Sequence, residues 1–561
     1  MKKSLKAKSL ICLGLMLATF PQVTTAETMQ NRPNIPNTGT LLHELESHRH
    51  ITPRPKKIKV DMNVPTEQEA QHEMTAYVRK VEFVCKDLDF NQSLQYLTEG
   101  KLRKDMSFTE MQALAAEATK VLRKKGYVTS LAYIPAQDIK MGILKINVFI
   151  GRYGDIEINN HSQMTDQRLL GYTYAVRPGK LVKAQELDKS LLILNEIPGM
   201  EVKARMEPGT KKGTAKIIID ADTLEKQGGY VYMDDYGNKS TGRWRYGLNY
   251  HYNNLTKVGD QIDLNYLTSF SDLNNYQFTY SLPVGRDGAI SRVSYSHMNY
   301  TLGNRWGYLN GDGLANTLEL GVTVPMYRSL QSSSWYDISY RNRNLHDNLF
   351  DNMLDSKKTS DTLQLEIHGY ERRNDFSDTY SISHSMGRLG MGSLYARNTD
   401  IYDTAGWFSK TNASLYHIQR LDDRWQMHVS LNGQYAWDNL DGSEDFYITG
   451  PNGVRAFPQG EAGGDSALLG TLEFRYRTGL PELQITAFVD AGRVFYNHKP
   501  LDGAAIDNVQ NLAGVGLGLI YSKYRDWYAK FDWATPLGNH YSSTEGEKIH
   551  NTWWFRLVKQ F

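Results

Sequence analysis

From about Gly228 to the end of the chain, apolar and polar residues alternate with a period of two. Between Trp425 and Trp437 the odd positions are Trp425, Met427, Val429, Leu431, Gly433, Tyr435 and Trp437, while Gln426, His428, Ser430, Asn432 and Gln434 take the even ones. Leu363, Leu365 and Ile367 alternate in the same way with Gln364, Glu366 and His368, and Ile262, Leu264 and Tyr266 with Asp263 and Asn265. Successive side chains of a strand point to opposite faces, so each of these segments has one greasy face and one wet face. The segments run ten residues or more and are separated by turns such as Gly285-Arg286-Asp287-Gly288, with no helical pattern between them to cover the greasy face. Counting from Tyr230 gives about sixteen, the last being Thr552 to Phe561. An even number of long antiparallel strands predicts an all-β transmembrane barrel over residues 225–561. Backbone groups facing lipid have no water to bond, and only a closed sheet pairs them all. A barrel of this size has a wide bore, which inward polar residues would keep hydrated.

Upstream the period changes. Val78 to Val84 reads as a strand, Ser93 to Leu97 as a short helix, Phe108 to Lys125 as a long helix, and Val128 to Ile134 and Ile143 to Ile150 as strands. Met111, Leu114, Ala115, Ala118, Val121 and Leu122 recur at helical spacing, which gives the long helix one face to lay on a sheet. A second unit repeats this order: a strand with Ile156 and Ile158, helices near Asp166 to Tyr174 and Ala184 to Ile197, then strands at Val202 to Met206 and Ala215 to Ile219. Two α+β modules, 77–151 and 152–224, therefore precede the barrel.

At the N-terminus Lys2, Lys3, Lys6 and Lys8 precede the apolar run Leu10 to Phe20, with Thr24 and Ala26 after it, the layout of a secretory signal peptide over 1–26. At about eleven residues the run is too short to span a bilayer. Residues 27–76 read as a leader and linker, rich in Pro, His and charge, with the basic run Arg54-Pro55-Lys56-Lys57 and one short candidate helix around Leu41, Leu42 and Leu45. His43-Glu44 has the beginning of a zinc-protease helix, but the next histidine, His48, falls five residues on and off the required face, so no metal site is expected.

Composition sharpens this picture in three places. All 10 tryptophans lie at or beyond Trp244, and the chain has 35 tyrosines, which suits a latter part that places aromatic rings at two membrane interfaces. A formal net charge of +2 points to no nucleic-acid partner. With Cys12 inside the signal, Cys85 is the one cysteine left, which precludes an intrachain disulfide or a thiolate metal cluster. The sequence also lacks a phosphate-binding loop and a nucleophile elbow, and Gly514-Val515-Gly516-Leu517-Gly518 falls within an alternating strand. Neither an enzyme nor a bound cofactor is expected.

The longest informative loop, Asp438 to about Gly464, separates the eleventh and twelfth strand candidates and contains Val454-Arg455-Ala456-Phe457. The next strand carries Glu473, Arg475 and Arg477 on its polar phase, and Leu483 to Asp490 follows with Gln484, Thr486, Phe488 and Asp490 facing the bore. At these residues the chain resembles the two-partner secretion transporters, the family of haemolysin activators and filamentous-haemagglutinin transporters. The resemblance implies two POTRA modules before a sixteen-stranded barrel. It also implies that Arg455, in a V-R-G-F/Y loop motif, folds into the barrel and pairs with Asp490 of an F-x-D motif whose phenylalanine is Phe488. Ala456 stands where the family usually has Gly; if that residue needs a positive φ, Ala would strain the turn or divert the loop. Two charges 4 Å apart attract by about 4 kcal/mol at an effective dielectric of 20 but about 1 kcal/mol in water, so in a hydrated bore the pair would position the loop without locking it. Glu473, Arg475 and Arg477 either join this network or simply line the pore.

The resemblance further implies a monomer in the outer membrane with its modules in the periplasm. Its partners would be a secreted exoprotein of haemolysin, haemagglutinin or adhesin type, outer-membrane lipid, and the barrel assembly machinery that reads a last strand ending in Phe561. Unfolded passenger would be captured by strand addition at an open sheet edge and exported through the barrel. The alternative is an insertase or assembly factor for other barrels, which shares POTRA modules and a related loop motif but usually carries more modules. A passive porin would have no use for the leading modules.

Overall fold

The computed structural model describes residues 35–46, 60–62, 75–501, 507–542 and 545–561. The signal-peptide segment and the basic run Arg54 to Lys57 lie outside the described residues. Helix α1 (Thr38–Glu46) comes first. Asn37 caps it, its side-chain oxygen accepting from the N–H groups of Gly39 and Thr40. The helix lies inside the barrel, where Leu41 and Leu42 are buried against Leu267, Leu273, Met298, Tyr300 and Leu345. A three-residue strand, Val60–Met62, follows and runs parallel to the edge strand Met200–Pro208 of the second module.

In the first module, Lys80–Cys85 pairs parallel with Ile143–Phe149, which pairs antiparallel with Leu131–Tyr133. Helix α2 (Phe108–Lys124) starts in a capping box: the Ser107 hydroxyl accepts from the Glu110 N–H while the Glu110 carboxylate accepts from the Ser107 N–H. Its buried face of Met111, Leu114, Ala118 and Leu122 closes on Val81, Phe83, Leu144 and Ile146. Two sequence expectations are corrected. The strand expected over Val78 to Val84 breaks at Arg79 into Thr75–Val78 and Lys80–Cys85, because Thr75–Val78 turns away to pair with Lys104–Ser107. The strand expected over Val128 to Ile134 contracts to Leu131–Tyr133, because Tyr127 to Ser130 close a hydrogen-bonded turn after α2.

The second module has the sheet order 60–62, 200–208, 214–223, 152–161, covered by helices α3 (Asp166–Tyr172) and α4 (Ala184–Glu196). Tyr153, Leu187, Leu191, Ile217 and Ile219 form its core. The module rests on the periplasmic turns of the barrel. Arg168 donates to the Pro283 carbonyl at 2.8 Å, Tyr174 to Asp287, and Glu196 pairs with the buried Arg328.

The barrel closes in sequence order through sixteen antiparallel strands. They are β1 (Gln227–Asp234), β2 (Arg245–Asn253), β3 (Gln261–Thr268), β4 (Leu273–Val284), β5 (Ala289–Thr301), β6 (Asp312–Arg328), β7 (Ser332–Leu349), β8 (Leu354–Arg372), β9 (Phe376–Met391), β10 (Gly406–Arg420), β11 (Trp425–Ala436), β12 (Ser466–Arg477), β13 (Leu483–Phe495), β14 (Val509–Ser522), β15 (Trp527–Pro536) and β16 (Thr552–Gln560). The alternation sorts as its period requires: Ile338, Leu363, Leu365, Ile367 and Leu519 are exposed on the outside, while Arg341, Ser360, Thr362 and Asp490 face in. No helix among the described residues is long and apolar enough to cross a membrane. The barrel closes where β1 meets β16, from Tyr230 opposite Gln560 to Asp234 opposite Arg556. Phe561 extends this seam by exchanging backbone hydrogen bonds with Gly229.

Candidate functional site

The loop between β11 and β12, residues 437–465, folds back into the barrel rather than standing above it. A short internal ladder stiffens it, with Phe446 opposite Gly464, Tyr447 opposite Gly463, and the Ile448 N–H donating to the Ala462 carbonyl. Its apolar residues Ile448, Val454, Ala456, Phe457 and Ala462 join Phe488, Val494, Leu512 and Ala534 of the wall in one buried cluster. This seat excludes water from the loop tip, and that decides the electrostatics.

Arg455 stands at the tip. Its Nε donates to Asp490 Oδ2 at 2.8 Å and its Nη2 to Asp490 Oδ1 at 2.9 Å, a two-pronged contact, and its own backbone N–H reaches the same carboxylate at 3.2 Å. Nη1 donates to Glu473 at 2.8 Å and lies 3.4 Å from Asp532. The guanidinium carbon sits 3.2 Å from the centre of the Phe488 ring. Arg475 holds the other oxygen of Glu473 at 2.7 Å, and Lys530 holds Asp532 at 2.8 Å, so three cations balance three carboxylates. Thr471 completes Asp490, and Trp554 and Thr552 donate to the carbonyls of Arg455 and Ala456. Arg455 is 4 % exposed and Asp490 0 %. The pairing is thus buried, and the expectation that it lies in hydrated surroundings is corrected.

The structure gathers Val454, Arg455, Ala456, Phe457, Glu473, Arg475, Phe488 and Asp490 into one place. Arg477 stands apart, exposed at the periplasmic end of β12. Asp532, Lys530, Thr471 and Trp554 escaped the sequence reading, although the spacing Lys530-Phe531-Asp532 marks two opposite charges on one inward phase. Ala456 is not strained either, since it is absent from the residues with positive φ, and its methyl occupies space left by Gly514. A side chain at Gly514 would come within 2.5 Å of the Ala456 Cβ, and one at Gly516 within 2.3 Å of the Phe488 ring. The glycines of β14 are therefore the floor on which the loop and the Phe488 ring rest.

A second set of charges ties the loop to α1. Arg343 of β7 donates to Glu444 and the Ser443 carbonyl of the loop, and to both oxygens of Glu46 of α1. Lys358 of β8 pairs with Asp441, and Lys410 of β10 with Glu444 at 2.7 Å. At the other end of α1, Thr38 donates to Asp347 through both its N–H and its hydroxyl at 2.8 Å. Burial alone would raise the Glu444 carboxyl, but Lys410, Arg343 and Arg341 outweigh it and hold the group below its ordinary range. Near the loop base, Asp465 moves the other way: burial pushes it up to about 6, against the pull of the His498 and Leu440 N–H groups. Asp445, hydrogen-bonded to it, is raised further by burial and by the charges of Asp465 and Asp441.

The family description that matches this architecture is "Haemolysin secretion/activation protein ShlB/FhaC/HecB", over residues 213–521, more than half of the chain. The chain belongs to this family. A ShlB-type POTRA domain matches over residues 77–151. Among relatives, the heme/hemopexin transporter protein HuxB of Haemophilus influenzae (strain 86-028NP) is 27% identical over 552 residues, covering 94% of this chain and 95% of its own. Among solved structures, CdiB from Escherichia coli aligns at 19% identity with a TM-score of 0.70, covering 89% of this chain and 93% of that one. BamA from Haemophilus ducreyi lacking POTRA domains 1–3 aligns at 14% identity with a TM-score of 0.51, covering 87% and 100%. These last two likenesses are of fold. As a haemolysin secretion/activation protein, the chain is an outer-membrane transporter of an exoprotein partner, with its barrel in that membrane and its POTRA modules in the periplasm.

Proposed function

We propose that this protein exports an unfolded exoprotein of haemolysin, haemagglutinin or adhesin type, and that the Arg455–Asp490 pair is the catch that returns the inner loop to rest after each passage. The observation that carries this reading is that α1 and the inner loop both occupy the bore and touch one another, while each is held by side chains rather than by the barrel ladder. The strands pair with each other independently of either insert, so both can leave without opening the wall. A passenger segment arriving extended at a free edge of a module sheet adds as a strand through backbone hydrogen bonds, which tolerate many sequences. The protein works as a monomer, embedded in outer-membrane lipid by the barrel assembly machinery, and acts as a transporter rather than an enzyme.

The test is co-expression with a candidate passenger, and HuxB, a relative named for heme and hemopexin, adds a haem-related exoprotein to those worth trying. The exoprotein is expected at the cell surface with the full-length transporter and trapped in the periplasm when residues 77–224 are deleted. A transporter that leaves the passenger in the periplasm yet raises the folded yield of other barrel proteins would point to an assembly factor instead.

A further inference from the structure

The inward face of β5 to β10 divides its cations into two classes. Arg292 and Arg341 pair with carboxylates of the same wall, Asp337 and Glu319. Arg343, Lys358 and Lys410 pair instead with carboxylates carried by the inserts: Glu46 of α1, and Asp441 and Glu444 of the loop. When the inserts withdraw, the first class stays neutralised and the second does not. Arg343 is 2 % exposed while the inserts cover it, and it loses both of its carboxylates when they leave. Withdrawal is therefore favoured by anything that brings carboxylates to these three side chains.

We propose that Arg343, Lys358 and Lys410 form a binding station for acidic side chains of the polypeptide in transit, a station that Glu46, Asp441 and Glu444 occupy at rest as built-in stand-ins. The proposal rests on the export reading, since it supplies the bore with a passenger. Arg343 and Lys410 reach opposite oxygens of one carboxylate, Glu444, at 3.1 and 2.7 Å, so their charged ends stand close enough to share a single acid. One Asp or Glu of a passing segment can therefore engage both, and Lys358, which holds Asp441, offers a place for a second. Exchange of one carboxylate for another also keeps the bore neutral, so the passenger replaces the resting partners without stranding a charge.

The test uses the full chain in a planar bilayer of neutral lipid, with Glu46→Gln to loosen α1 and Asp441→Asn with Glu444→Gln to free the three cations, and with hexaglutamate and hexalysine as probes on the periplasmic side. Hexaglutamate is expected to block the current of this triple variant, and the concentration for half block should rise at least tenfold when Lys358→Gln and Lys410→Gln are added. Lys358→Arg with Lys410→Arg, which keeps both charges, should retain the block, and all variants should show heat-modifiable migration as proof of folding. Equal block by hexaglutamate with and without the two lysines, block by hexalysine at the same concentrations, or loss of block in the arginine pair would each overturn the station. If the unsubstituted protein exports no passenger, the export reading fails whatever the peptides do. If it exports well and the lysine variants export an acidic passenger equally well, the station alone fails.

Discussion

Arg455→Ala is the perturbation that bears most directly on how the inner loop is held. In the intact site three cations face three carboxylates, and Asp490, fully buried, receives both prongs of the guanidinium. Without Arg455, Asp490 keeps the Thr471 hydroxyl but no cation among the described residues within bonding distance, while Glu473 and Asp532 retain Arg475 and Lys530. Removing one partner of a buried pair typically costs about 3–5 kcal/mol. If that cost falls on the docked loop alone, its docking equilibrium weakens by roughly two to four orders of magnitude. The loop keeps its apolar seat through Val454, Phe457 and Ile448, so the expected result is frequent undocking rather than unfolding of the barrel. Ala462→Cys provides the reporter, because Ala462 is 1% exposed when the loop is docked. In cells carrying Arg455→Ala, a membrane-impermeant thiol reagent should label that cysteine at least tenfold faster, and export should fall while heat-modifiable migration persists. Arg455→Lys, which keeps the charge but loses the two-pronged contact, should lie between. Labelling and export equal to the parent would refute the argument, and loss of the folded barrel would make the pair a structural element.

Three further predictions follow from other contacts. Gly514→Ala brings a methyl within 2.5 Å of Ala456 Cβ and should loosen the loop by about 1–3 kcal/mol, read as faster labelling of the same reporter; Ala456→Gly should restore the slow rate, because it removes the opposing methyl. The raised Asp445–Asp465 pair binds its proton more tightly in the docked loop, so this contribution is fully present below the ordinary carboxylate value of 3.8 and is lost as pH rises through about 6. Labelling should therefore quicken between about pH 4 and 6, the Asp465 shift alone being worth roughly 3 kcal/mol over that range, and Asp445→Asn should flatten the dependence. Glu46→Gln or Asp347→Ala removes one anchor of α1, a hydrogen bond to a charged group worth about 1.5–3 kcal/mol, and single-channel recordings should show at least tenfold more time in the open state.

Much of this architecture was legible in the sequence because a lipid-embedded sheet leaves a plain signature. Leu363 to His368 and Trp425 to Trp437 must alternate for one face to meet hydrocarbon and the other water, and the same period places Phe488 and Asp490 on the inward phase without any structure. Period says which way a side chain points but not how wet its surroundings are. The dryness around Arg455 comes from Val454, Phe457, Leu512 and Ala534 meeting across the bore, contacts between segments far apart in the chain. The place of α1 was illegible for the same reason, since Leu41 and Leu42 form an ordinary amphipathic stripe whose seat is assembled from β3 to β7. Short strands escaped too. Lys104–Ser107 has only Met106 as an apolar residue, and Val60–Met62 is too brief for any period to register.

The two inserts are held by different physics, and the difference bears on the order in which they release. Helix α1 sits on a greasy seat with one polar anchor at each end, Thr38 on Asp347 and Glu46 on Arg343, so breaking either anchor leaves most of its buried area in place. The loop tip is held by a charge cluster in a dry setting, where the guanidinium must part from its carboxylates before the apolar residues can move. The inserts meet at Gly39, where a side chain would come within 2.6 Å of the Ser443 backbone, and at Arg343, which donates to both. Because Arg343 keeps Glu444 when Glu46 departs, withdrawal of α1 leaves every one of the three cations with a carboxylate, Glu444 being shared with Lys410. Withdrawal of the loop first would instead leave Lys358 and Lys410 without Asp441 and Glu444. The electrostatics therefore favour exit of α1 before exit of the loop, with the second step coming when a passenger has carboxylates to offer in exchange.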